Sequence, residues 1–145
     1  MKAKEYLCAV RRKELHIKTL MEKREALEAE AQGLKAIVYD KDRVQVSPAN
    51  RMEDMLVKIA EIDERYEREI QELHDYIVEA TRRVMTMENT TYAEILRLRY
   101  LTDDNGHRMS FERISCIMHK SFDWVRHLHG AALAEFERKY LNGKA

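Results

Sequence analysis

The chain has 145 residues, 45% hydrophobic and 36% charged, with four Gly and one Pro. That length suits one domain or two small packed units, and the composition is that of long amphipathic helices rather than sheets or linkers. Its 26 basic and 26 acidic residues cancel, so net charge gives no hint of a polyanionic partner, and two isolated cysteines, Cys8 and Cys116, exclude a disulfide framework.

No apolar run approaches the roughly 20 residues of a membrane span, and the beginning of the sequence alternates charge instead of presenting a signal-peptide core. A cytoplasmic protein without a membrane partner is expected. Charge is unevenly spread along the chain. Residues 1–38 carry nine basic and six acidic residues, 39–89 carry eight and thirteen, and 90–145 carry nine and seven. His107, His119, His127 and His129 fall in the last segment, where protonation below about pH 6.5 is expected to add positive charge.

From Lys4 to about Gly33, Tyr6, Val10, Ile17, Leu20, Leu27, Ala31 and Leu34 recur at intervals of three and four and draw one stripe along a helix. Lys13 and Arg24 interrupt this heptad seam, a device that fixes alignment or partner number. Gly33 is the expected helix end. Ile37 to Pro48 is β-prone and closes with the only Pro, which predicts an extended connection or short hairpin. A second long helix begins near residues 49–52, with Met52, Leu56, Ile59, Ile62, Tyr66, Ile70, Leu73, Ile77, Ala80 and Val84 as its stripe. Two long helices joined by a compact connection read as an antiparallel, coiled-coil-like hairpin.

The pattern breaks at Glu88–Thr91. Thr90 or Thr91 is the expected cap of a third helix carrying Tyr92, Ile95, Leu96 and Tyr100, and Thr102-Asp103-Asp104-Asn105-Gly106 is turn chemistry. Ser110 and Ser121, eleven residues apart, each cap a helix: a short one over 111–118 and a longer one from Phe122 to about Tyr140. Together they outline a helix-turn-helix of about twenty residues. Ile114, Met118, Val125 and Leu128 fall where the two helices must lock, and Ser115 falls at the close crossing. His119 stands in the turn position usually held by Gly, and His enters the left-handed region more readily than most residues.

In that register the second helix packs with Val125, Leu128, Ala132 and Leu133 and presents Ser121, Phe122, Asp123, Arg126 and His127 to a major groove. Arg126 matches a guanine edge, Asp123 a cytosine amino group, Phe122 a thymine methyl, and His127 a base or a phosphate. Ser121 and Lys120 make a phosphate site at the helix N-terminus, and Arg108 and Arg113 are further phosphate contacts. Trp124 either braces the motif against the third helix or lies at the DNA or dimer surface.

Tyr92 to Leu133 resembles region 4 of bacterial sigma factors. The Leu98-Arg99-Tyr100 phrase precedes the motif, and Ser121 to Arg126 leads into the Ala132-Leu133 pair. The whole chain is similar to short phage and prophage proteins of Gram-positive bacteria of the RinA/ArpU type of late transcriptional regulators, through Val44-Gln45-Val46-Ser47-Pro48 and the stretch from Leu128 to Leu133. Trp124, where an Arg is common, and His119 depart from the sigma pattern. The resemblance implies a regulator of phage transcription, with RNA polymerase as a further partner.

The expected fold is therefore all-α: a long α-hairpin over 1–88 for oligomerisation, as a homodimer, or partner binding, then a sigma-region-4-like helix-turn-helix domain over 89–145. Alternatives are a small-terminase-like DNA-recognition subunit and a protein-binding adaptor acting on RNA polymerase or a sigma factor. The carboxylates from Glu61 to Asp75 interleave with Arg65 and Arg68 as a solvated face does. No phosphate loop, nucleophile elbow or spaced metal cluster occurs, so no enzymatic activity, cofactor, metal or small-molecule substrate is expected.

Overall fold

The computed structural model describes the backbone of residues 1–38 and 48–142 and the side chains of 1–34 and 50–142. The protein is all-α. Two long helices, α1 (Ala3–Val38) and α2 (Pro48–Met85), precede three shorter ones: α3 (Thr90–Leu96), α4 (Phe111–Met118) and α5 (Phe122–Phe136). Helix α3 runs on into a π-helical turn over Arg97–Leu101, and α5 does so over Glu137–Leu141. Between α3 and α4 lies a two-stranded antiparallel hairpin, β1 (Asp103–Asp104) and β2 (His107–Arg108). Asn105 and Gly106 turn it with φ of 52° and 81°, the mirror-image geometry that suits a two-residue hairpin.

Helix α1 does not stop at Gly33. It continues through Ile37 and Val38, because one exposed Gly costs only about 1 kcal/mol against the cooperativity of a long helix. Pro48 opens α2, where its missing N–H costs nothing. The rest of the expected extended connection, 39–47, lies outside the described residues. The cap of α3 is Asn89 rather than Thr90 or Thr91; its side chain accepts from the N–H groups of Thr91 and Tyr92 at 3.0 and 3.2 Å.

The chain forms two compact units, residues 14–72 and residues 1–13 with 73–145. In the first, α1 and α2 run antiparallel along a thin seam. Ala31, Leu34 and Met55 are buried with Leu27 and Met52 against them, and Arg24 pairs with Asp63 at 2.5 Å and with Glu28 at 2.7 Å. The polar intrusion at Arg24 is thus matched across the seam. Met55 occupies the place expected of Leu56, which is 56% exposed. The α2 stripe is rotated by one residue there, and Leu56 and Ile70 lie on its outer flank.

The second unit has a thicker core. Phe136, Leu7, Leu96 and Val84 are fully buried with Tyr6, Ala80, Tyr100 and Ala132 around them. The Tyr76 hydroxyl donates to the Tyr6 carbonyl at 2.6 Å, and burial pushes its pKa up to about 12. A boundary at residue 89 leaves these turns of α1 and α2 with the hairpin, yet they supply half of the core on which α3 and α5 rest. Lys13, the other polar intrusion in the seam, lies over the Tyr76 ring.

Candidate nucleic-acid interface

The sequence Ser110-Phe-Glu-Arg folds as a capped helix start, with the Ser110 hydroxyl accepting from the Arg113 N–H at 3.1 Å. Ser121 repeats the arrangement on α5, accepting from the Trp124 N–H at 3.1 Å. Between them His119 adopts the left-handed conformation, φ 56° and ψ 42°, and the Lys120 N–H closes the turn on the Ser115 carbonyl at 3.0 Å. Helices α4 and α5 lock through a small core of their own: Leu98, Met109, Ile114 and Val125, with Phe111, Met118 and Trp124 packed against it. Trp124 is half-buried against this small core and also borders the depression beside Arg126, and Lys120 covers its ring at 5.4 Å.

The first two turns of α5 gather most of the expected contact residues on one exposed surface. Lys120, Ser121, Phe122, Asp123, Arg126 and His127 are all exposed. Arg126 makes no hydrogen bond or ion pair among the described residues, and with Asp123, His127 and Gly130 it borders a shallow depression along the helix. Phe122 is anchored edge-on to Phe111 at 6.3 Å and keeps 41% of its surface exposed. The remaining two residues are engaged elsewhere. Arg113 reaches Asp104 at 3.4 Å, and Arg108, on β2, donates to the Cys8 sulfur of α1 at 3.2 Å.

His129 is not a surface cation. Its Nε2 lies 2.7 Å from the Tyr100 hydroxyl, and burial, with the nearby charges of Arg99, Lys4 and Arg108, lowers its pKa to about 4. It stays neutral where the other three histidines of the segment are exposed. The expectation that all four add charge near pH 6.5 fails here, because a half-buried imidazole in a basic neighbourhood resists protonation.

The same neighbourhood explains the Leu98-Arg99-Tyr100 phrase. Arg99 donates to the Met109 carbonyl at 2.6 Å and stacks on Phe111 at 4.2 Å, while Phe111 meets the His129 ring at 4.8 Å. The Arg99 guanidinium, its own pKa lowered first by burial, thereby ties the end of α3 to the start of α4, and the aromatic contacts pass that constraint on to α5. Its Nε, buried without a partner among the described residues, is the cost of that placement. These residues lie ten to thirty positions apart in the chain, so no local pattern reveals the lock.

Among the described residues no group of three His, Cys, Asp or Glu side chains is arranged to hold a metal ion, and no helix is long and apolar enough to cross a membrane. No protein-family model matches the chain, and no curated protein and no solved structure is significantly similar to it.

Proposed function

We propose that this protein binds double-stranded DNA sequence-specifically through α4 and α5 and regulates transcription in the manner of the phage regulators its sequence resembles. The observation that carries the reading is Arg126, a guanidinium exposed on the second turn of a capped helix, uncompensated among the described residues and flanked by Asp123 and His127. A helix of this kind fits a B-form major groove about 12 Å wide, where a free guanidinium donates two hydrogen bonds to guanine. Ser121 and the N–H groups behind it meet a phosphate, with Lys120 adding charge. The lock through Arg99, Phe111 and His129 fixes α5 relative to α4, so that the contact residues enter as one rigid unit.

The hairpin unit serves as the oligomerisation arm. Leu15, Leu56, Val57 and Ile70 are exposed there, apolar side chains that a homodimer reading two half-sites would cover. A second reading, a helical adaptor acting on RNA polymerase or a sigma factor, is favoured by Ile117, which is 45% exposed beside the turn of the motif. Selection of bound duplexes from a random pool separates the two. DNA readout predicts an enriched motif, degraded at one base position in Arg126→Ala at a cost of about 1–3 kcal/mol. An adaptor predicts no enrichment with either chain.

A further inference from the structure

Neutral overall charge conceals a division between the two units. Residues 1–13 with 73–145 contain 16 basic and 11 acidic residues, and residues 14–72 contain 10 and 15. One unit is therefore +5 and the other −5. Much of the difference comes from residues 1–13, which hold five basic residues against Glu5 alone. This segment is no loose tail, since Tyr6 and Leu7 are part of the core around Phe136. Arg11 donates to Asp103 at 3.0 Å and to the His107 carbonyl at 2.7 Å, which binds it to the β-hairpin.

Two of the five have no such structural employment. Lys4 is exposed with no ion pair or hydrogen bond among the described residues. Arg12, also exposed, gives one N–H to the Glu5 carbonyl at 3.3 Å, which leaves its charge uncompensated. Both border a notch shared with Cys8, Leu133 and two carboxylates, Glu5 and Glu137; Lys2 pairs with Glu137 at 3.5 Å, so three cations face two anions there. Leu133 follows Arg126 by seven residues, which on a helix is about two turns, so the notch lies on the side of α5 that carries Arg126, roughly 10 Å further along. A recognition helix leaves the groove toward its C-terminal half, and there the neighbouring groups meet the sugar-phosphate backbone.

Resting on the reading of α4 and α5 as a duplex reader, we infer that the first turns of α1 belong to the same DNA-binding surface, with Lys4 and Arg12 contacting the phosphates that flank the groove. These contacts add affinity without sequence preference.

The test is a salt titration of binding by the full chain to a duplex it enriches and to a scrambled duplex. Each lost phosphate contact lowers the slope of log affinity against log salt by about 0.9. Lys4→Gln with Arg12→Gln is expected to lower that slope by about 2 and to weaken both duplexes on the order of tenfold or more near 0.1 M salt, with their ratio unchanged. Lys4→Gln alone is expected to lose about half as much slope. The control pair Lys18→Gln with Lys23→Gln, exposed on the other unit, should change neither quantity. An unchanged slope in the double variant, or an equal loss in the control, overturns the inference while leaving the function of Arg126 intact. A wild-type chain that shows no salt-dependent duplex binding overturns both.

Discussion

The two units of this protein use the same helices differently. In residues 14–72, α1 and α2 meet along one line of small and medium side chains, with Arg24 and Asp63 bonded across it. In residues 1–13 and 73–145, the ends of those helices become walls of a multi-helix core around Phe136, and α4 and α5 add a second small core around Ile114. A two-helix seam buries one stripe per helix, whereas a core of four or more elements surrounds its side chains completely. A capped, aromatic-locked recognition helix belongs on the second kind of support, because contact residues must be held against a rigid base.

Emptying each core should have the largest effect. Phe136→Ala is expected to cost about 3–5 kcal/mol and Leu34→Ala about 2 kcal/mol, read from urea unfolding followed by circular dichroism. Equal losses would mean that the hairpin is as tightly packed as the helix-turn-helix unit.

A smaller effect separates the units by pH. The folded-state pKa of His129 lies near 4, below the ordinary 6.5, so within that window the unfolded chain binds the extra proton. Stability contributed by His129 is complete above about pH 6.5 and is lost as pH falls toward 4. Thermal melts at about pH 7 and about pH 5 should show destabilisation at the lower pH, reduced in His129→Gln. An identical pH dependence in the variant would place the responsible groups elsewhere. The smallest change is expected from Arg24→Ala, whose ion pair is partly solvated; it should barely move the melting temperature, and less still at high salt.

The parts of the fold legible in the sequence are those set by local chemistry. Ser110 and Ser121 cap where short polar side chains precede an apolar run, His119 takes the left-handed turn, and α4 spans Phe111–Met118 as its pattern predicts. Asn89 displaced the two threonines because it stands one residue earlier and its carbonyl reaches two N–H groups. At Met55 and Leu56 two apolar neighbours compete for one seam position, and periodicity alone does not choose between them. Gly33 failed as a stop because a helix of this length outweighs one flexible residue.

For the candidate site, the residues on the first two turns of α5 were legible because helix spacing and the cap place them. Those that position α5 were not. Arg99, Tyr100, Phe111 and His129 meet only once the chain has folded, and the contribution of residues 1–13 to the basic unit depends on a packing across more than 60 positions, such as Tyr6 on Tyr76. Whole-chain neutrality hid that contribution, since opposite charges were sorted into different units rather than absent.

The most direct measurement is the affinity of the wild-type chain and of Arg126→Ala for a selected duplex and its scrambled counterpart at several salt concentrations. The account predicts salt-dependent binding by both chains, with a preference for the selected duplex that Arg126→Ala reduces on the order of tenfold to a hundredfold. Equal binding of the two duplexes by the wild-type chain, or a preference untouched by Arg126→Ala, would contradict it.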